Sequence, residues 1–160
     1  MQKVTILCTG KLKEKFYLDA AAEYAKRLSR FCKLEICELP EERLPEDPSP
    51  AQIEAALSRE ADAVRARLPA SCLLIAMCVE GKERSSEELA RYLADSAAQG
   101  ASHIVFLIGS SYGMHACLKR QAALRLSMSP MTFPHHLLRI MLLEQIYRAY
   151  QINAGSKYHK

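Results

Sequence analysis

The sequence predicts an α/β domain built around a mostly parallel β-sheet with helices on both faces. Short apolar segments alternate with longer ones whose apolar residues recur at helical spacing, the order typical of α/β proteins. Two of the short segments, residues 72–79 (CLLIAMCV) and 103–109 (HIVFLIG), are continuously apolar, as expected for strands covered on both faces. The length of 160 residues suits one domain over residues 1–160.

The first third of the chain predicts two strands and one helix. Residues 3–8 (KVTILC) read as a buried strand, with a turn at Gly10. Apolar residues at helical spacing between Phe16 and Arg30 predict an amphipathic helix, and residues 33–39 predict a second strand. The next stretch, residues 40–50 (PEERLPEDPSP), contains four prolines and four acidic residues. Such a composition predicts an irregular loop within the domain.

Capping signals locate the middle helices. Ser49 and Gln52 form a capping box with Pro50 between them, which predicts a helix that runs to about residue 68. The strand over residues 72–79 is expected to end at Gly81. A second capping box, Ser85 with Glu88, predicts a helix over residues 86–99, which Gly100 ends as a C-terminal cap.

The last third predicts a short helix over residues 115–123, a short strand within residues 124–129 and a final helix over residues 135–153. The final helix carries apolar residues along one side. Together with the strand at residues 103–109, these elements complete the alternation of strands and helices.

Composition argues against a membrane or secreted protein. No apolar run approaches the roughly 18 residues that a membrane span needs, and the apolar N-terminal stretch is too short for a signal peptide. We therefore expect a cytoplasmic protein. The six cysteines include no C-x-x-C pair, so we expect buried, reduced thiols rather than a disulfide framework or a zinc site.

The net charge of +4 is unevenly distributed. From Lys119 onward there are seven basic residues and one acid, so this stretch carries 7 − 1 = +6 and residues 1–118 carry −2. A basic C-terminal quarter is typical of proteins that bind nucleic acid or another acidic partner. An ordinary solvated helix face is an equally good interpretation of the charge alone.

Three segments follow predicted strands and so lie where ligands of parallel sheets usually bind: residues 79–82 (VEGK), 108–113 (IGSSYG) and 127–134 (SMSPMTFP). The second lacks both the G-x-G-x-x-G of dinucleotide folds and the G-K-[ST] of phosphate-binding loops. It is either a tight turn or a site of close backbone approach to a ligand. The third is either a stiff connection or a pre-shaped seat whose prolines preset the backbone.

The C-terminal tail Tyr158-His159-Lys160 combines an aromatic ring that could stack on a base, a titratable imidazole and a cation. A frayed terminus is the simpler interpretation. The pair His135-His136 lacks the spacing and acidic neighbours of a metal site, so no metal is expected.

Three strings carry a resemblance over essentially the whole chain: residues 5–42 from TILCTGKLKEKF onward, FLIGSSYG at 106–113, and SMSPMTFPHHLLRIMLLEQIYRAYQINAGSKYHK at 127–160. In these strings the sequence resembles the ribosomal RNA large subunit methyltransferase H family of the α/β-knot (SPOUT) methyltransferases. The resemblance implies a C-terminal deep trefoil knot, although knots are very rare in general. It also implies a homodimer with active sites near the subunit interface.

The resemblance further implies a reaction. S-adenosyl-L-methionine would methylate N3 of a pseudouridine in 23S ribosomal RNA, on the assembled 70S ribosome. The cofactor-binding positions that carry over are Met77, Gly109, Met128, Ser129, Pro130, Met131, Thr132 and Phe133. In the tail we expect His159 as base or orienter and Tyr158 as the ring that positions the target, with RNA contacts from Lys157, Lys160 and Arg148.

The chain also departs from the family pattern. Ser110 stands where a glycine is common, Pro130 where a lysine is common, and Ala154 and Ser156 where the tail often has arginine and glutamate. These departures leave two alternatives open. The protein could be a ribosome-binding module with impaired catalysis, or an α/β-knot enzyme that acts on another RNA.

Overall fold

The computed structural model describes all residues from Met1 to Lys160. Strands and helices alternate strictly along the chain, in the order β1 (Lys3–Thr9), α1 (Lys15–Leu28), β2 (Lys33–Leu39), α2 (Pro50–Arg67), β3 (Leu73–Glu83), α3 (Ser86–Ala98), β4 (His103–Ile108), α4 (Ala116–Gln121), β5 (Leu124–Ser127) and α5 (His135–Asn153). The α/β class is therefore as the sequence predicts. The predicted loop between β2 and α2 has no regular structure.

All five strands form one parallel sheet in the order β2-β1-β4-β3-β5. Ile6 at the middle of β1 pairs with Ile36 of β2 on one side and with Phe106 of β4 on the other. Ile75 of β3 pairs with Phe106 from the opposite side of β4. Because the strands are parallel, their carboxyl ends lie along a single edge of the sheet.

Helices cover both faces of the sheet. On one face α1, α3 and α5 pack over alternate strand residues such as Ile104, Phe106 and Ile108. On the other face α2 and α4 cover Val105 and Leu107. The continuous apolar run of β4 is therefore explained, because its odd and even positions enter two separate cores.

The predicted helix starts are confirmed. Ser49 and Gln52 exchange reciprocal capping hydrogen bonds at the start of α2, with Pro50 as its first residue. Ser85 and Glu88 do the same for α3. Each box satisfies backbone N–H groups that have no partner inside the helix.

The predicted end of β3 is wrong, since the strand continues through Gly81 to Glu83. Its register against β5 shifts at this point, so that Leu126 pairs with both Met77 and Lys82. A Cβ atom at Gly81 would lie 2.8 Å from the backbone of Arg125. This glycine therefore permits a close crossing of two backbones rather than a turn, and residues 78–81 bulge beside β5.

The remaining expectations concern cysteines and metal sites. All six thiols are free; Cys8 and Cys32 are buried, and the other four are only partly so. No group of three or more potential metal-ligating side chains occurs. None of the helices combines the length and the hydropathy required to cross a bilayer.

An ion pair between a buried arginine and a partly exposed glutamate attaches α5 to the sheet. The side chain of Arg139 is 2% exposed, and it donates to Glu38 Oε2 at 2.7 Å and to the carbonyl oxygen of Gly10 at 3.2 Å. The amide of Leu12 donates to the same Glu38 oxygen at 2.9 Å. Burial would raise the pKa of Glu38, but the bonds from Arg139 and Leu12 outweigh it and hold that pKa below its usual value.

We expect Glu38→Ala to destabilise the protein by about 3–5 kcal/mol, because it leaves the Arg139 guanidinium buried without its counter-charge. The matched control is Glu35→Ala on the same strand, which removes a half-exposed ion pair with Lys3 and should cost about 1 kcal/mol or less. Urea unfolding of both variants measures the difference. Equal losses would contradict the assigned importance of Arg139.

Candidate active site

The largest site is a cavity of about 670 Å³ at the carboxyl edge of the sheet. Its walls come from the end of β3, from residues 108–114 after β4, and from residues 128–135 before α5. These are the three segments that the sequence marks as leaving the strand ends. The volume lies within the range of ordinary small-molecule sites.

Seven of the eight predicted cofactor residues line this cavity: Met77, Gly109, Met128, Ser129, Met131, Thr132 and Phe133. The eighth, Pro130, does not line it. The Met131 amide donates to Ser129 Oγ at 3.0 Å, which closes a small turn with the exposed Pro130 at its tip. The proline therefore shapes the loop from outside and offers no wall to a ligand.

The loop before α5 is ordered by its own side chains. Ser127 Oγ donates to the carbonyl oxygen of Ser129 at 3.0 Å, next to the Ser129–Met131 bond. The amides of Thr132 and Phe133 donate to no group of the chain. Both residues line the cavity, so their free amides are available to the acceptor atoms of a ligand.

The segment after β4 closes into a tight turn. Ser110 and Gly113 exchange two backbone hydrogen bonds, at 3.0 and 2.8 Å. A Cβ atom at Gly109 would lie 2.3 Å from the Gly113 carbonyl oxygen, closer than real Cβ contacts allow. Gly109 is thus required by the turn itself, which is one of the two readings that the sequence left open. Gly113 adopts the left-handed region, with φ of 88°.

The loop between β2 and α2, together with Glu60 of α2, supports this turn on the side away from the cavity. Ser110 Oγ donates to Glu60 Oε1 at 2.7 Å, and the Glu42 amide donates to Glu60 Oε2 at 2.9 Å. The amide and hydroxyl of Ser111 both donate to Glu41 Oε1. Glu60 is buried, and that burial raises its pKa. Ser110, a departure from the family pattern, therefore links the turn to a buried carboxyl group.

Sequence reasoning missed several lining residues, among them Glu80, Lys119 and His135. Glu80 and Lys119 form an ion pair in the cavity wall, and this pair holds the pKa of Glu80 below its usual value. His135 also lines the cavity, and burial lowers its pKa. Glu80 lies in the VEGK segment that the sequence marks, but no sequence signal separates Lys119 from other helix lysines.

The C-terminal tail, Tyr158-His159-Lys160, does not line the cavity of its own chain. Tyr158 donates to Glu144 Oε2 at 3.0 Å, and its pKa is raised by burial and by this carboxylate. His159 lies 2.7 Å from Glu87 through Nε2 and 3.2 Å from Arg148 through Nδ1. Because arginine only donates, Nδ1 must accept, which leaves the proton on Nε2. Both ring nitrogens are therefore engaged.

Three of the seven basic residues after position 118 have acidic partners. Lys119 pairs with Glu80, Arg139 with Glu38 and Arg148 with Glu144. The four without an ion pair are Arg120, Arg125, Lys157 and Lys160. Fewer C-terminal cations are thus free to contact RNA phosphates than the sequence charge indicates. Arg148, which we expected to contact RNA, is already paired with Glu144.

Known proteins match this chain over almost its whole length. The family model described as "Predicted SPOUT methyltransferase" matches residues 2–159. A protein of Streptococcus suis named "Ribosomal RNA large subunit methyltransferase H" is 44% identical over 99% of both chains. A protein of the same name from Bifidobacterium adolescentis is 45% identical over the same shares.

Among solved structures, one from Haemophilus influenzae described as a "probable methylase family protein" aligns with a TM-score of 0.55. It covers 99% of this chain and 71% of its own, at 13% identity, and so supports the shared fold alone. The fold class predicted from the sequence, an α/β domain around a parallel sheet, is thereby confirmed, and the knot is the one that the resemblance to this family implies. The chain belongs to the SPOUT methyltransferase family, among the relatives named ribosomal RNA large subunit methyltransferase H.

Proposed function

We propose that this protein is an S-adenosyl-L-methionine-dependent methyltransferase that modifies N3 of a pseudouridine in 23S ribosomal RNA on the assembled 70S ribosome. The full-length relatives named as ribosomal RNA methyltransferases support the reaction class. The single observation that carries the proposal is the cavity, because it gathers seven of the eight expected cofactor residues at one sheet edge. Because ribosomes are cytoplasmic, this substrate implies a cytoplasmic protein.

The cavity fits an adenosine derivative. Met128, Met131 and Phe133 offer apolar and polarisable walls for a flat ring. The partnerless amides of Thr132 and Phe133 offer donors for the acceptor atoms of adenine or ribose. The bound cofactor would supply a methyl group on a sulfonium. Because the loop is already ordered by Ser127 and Ser129, little conformational freedom would be lost on binding.

The target nitrogen sets the demands on the protein. N3 of pseudouridine is an imide nitrogen that is mostly protonated at neutral pH, so its proton must be removed while the base is held in line. We propose His159 as base or orienter and Tyr158 as the ring that positions the base. Lys157 and Lys160, both exposed and without an ion pair, would meet phosphate. Arg148 would act through His159 and Tyr158, which it contacts.

The location of the tail favours a homodimer. In its own chain the tail rests on α5 and the start of α3 through Glu144 and Glu87, outside the cavity. We therefore propose that the tail of one copy serves the cavity of the other.

The direct test is transfer of labelled methyl groups to purified 70S ribosomes, followed by mapping of the modified nucleotide. We expect labelling of one pseudouridine and a loss of turnover of about 10²–10⁴-fold in His159→Ala, with cofactor binding near normal. Unchanged turnover would remove His159 from the mechanism. Cofactor binding without transfer would favour a catalytically impaired ribosome-binding module, and labelling of transfer RNA instead would favour another RNA substrate.

Gly109→Ala should weaken cofactor binding by at least about tenfold, because the new methyl group would force the Ser110–Gly113 turn open. Calorimetric titration with the cofactor measures this. Gly100→Ala is the control for general destabilisation, since its methyl group lies in open space outside the cavity while its φ of 96° adds backbone strain that Gly109 lacks. Tight binding by Gly109→Ala would show that the turn does not shape the site.

The dimer is tested by mixing two impaired variants, Gly109→Ala and His159→Ala, at a cofactor concentration too low to load Gly109→Ala. If tails serve partner cavities, mixed dimers regain one complete site, and activity should return to about a quarter of the wild-type value after random exchange. No recovery despite demonstrated subunit exchange would place tail and cavity function in the same chain.

A further inference from the structure

The walls of the cavity carry one negative and one positive side chain, Glu80 and Lys119, among 21 lining residues. The other lining residues are apolar or neutral polar; His135 belongs with them, because burial lowers its pKa. Apart from the sulfonium of S-adenosyl-L-methionine, a cavity with this composition matches a ligand whose adenosine part is uncharged and whose amino-acid end is zwitterionic.

The two charges lie together on one side of the cavity. Glu80 follows Met77, Cys78 and Val79 on the bulged part of β3, and Lys119 projects from α4, which crosses from β4 to β5. Their side chains form a direct ion pair, with Lys119 26% and Glu80 56% exposed. The apolar loop of Met128, Met131 and Phe133 forms a different wall.

We propose that Glu80 and Lys119 form the subsite for the amino-acid end of the cofactor, Lys119 binding the α-carboxylate and Glu80 the α-ammonium group. This inference rests on the proposed function and adds a residue-level account of how the site distinguishes the whole cofactor from adenosine derivatives without an amino acid.

Electrostatics favours replacing the Glu80–Lys119 ion pair by two ion pairs with the ligand. A partly exposed lysine–glutamate pair contributes little to stability, so opening it costs little. An α-amino acid presents one carboxylate and one ammonium group, so each protein charge gains a new partner when the old pair opens. The two protein charges and the two charges of the amino-acid end cancel, and neither protein charge is left without a counter-charge. Loss of either side chain would leave one end of the zwitterion unpaired.

The test compares two ligands that share adenosine and a thioether sulfur. S-adenosylhomocysteine has the amino-acid end and 5′-methylthioadenosine lacks it; neither carries the sulfonium charge. We expect Lys119→Met and Glu80→Gln each to weaken S-adenosylhomocysteine binding by about tenfold or more, with 5′-methylthioadenosine binding unchanged. The matched controls are Arg120→Met, next to Lys119 and outside the cavity, and Glu83→Gln, beyond Glu80 on the same strand.

The outcomes separate this inference from the proposed function. Equal weakening of both ligands, or of neither, in the two cavity variants would overturn the subsite while leaving the methyltransferase proposal intact. Equal affinity of the wild-type protein for the two ligands would also overturn it. Failure of the wild-type protein to bind either ligand would overturn both proposals. Thermal unfolding of each variant shows whether the fold is retained.

Discussion

The buried contact of Arg139 with Glu38 and the Gly10 carbonyl is the constraint on which the site depends. It holds the first turns of α5 over the ends of β1 and β2. Residues 128–134 must therefore run from the edge strand β5 across the ends of β3 and β4 to reach α5. The cavity lies beneath this crossing. An ion pair with one buried member adds little net stability compared with an apolar pair, but its strict geometry specifies one position for the helix.

The rest of the cavity is shaped from the opposite side of the sheet. The acidic, proline-rich loop holds the Ser110–Gly113 turn through Glu41 and, together with the buried Glu60 of α2, forms a support behind it. An irregular loop thereby supports the site from outside the cavity. Its carboxylates stay outside the cavity and leave the interior free for the Glu80–Lys119 pair.

The charges are distributed so that the cofactor would meet the cavity and the RNA would meet the exposed cations outside it. Much of the positive charge of the C-terminal quarter is neutralised locally, by Glu80, Glu38 and Glu144. The remaining cations lie on exposed positions of α4, β5 and the tail. The C-terminal quarter thus offers only four cations without an ion pair, which limits its own electrostatic affinity for RNA. Recognition of a ribosomal target would thus depend on the assembled surface of the dimer and the ribosome.

The sequence by itself determined the local features: the strands, the capping boxes, the two-faced burial of β4 and the three segments that line the cavity. These follow from periodicity and short-range hydrogen bonding, which act within a few residues. Only the tertiary structure decided the continuation of β3 past Gly81, the outward position of Pro130, the pairing of Glu80 with Lys119 and the rest position of His159. Three of these depend on groups that are distant in sequence, and the outward position of Pro130 is outward only relative to the strands and loops that complete the cavity. Local pattern cannot specify such contacts, because they form only when the sheet order brings separate segments to one edge.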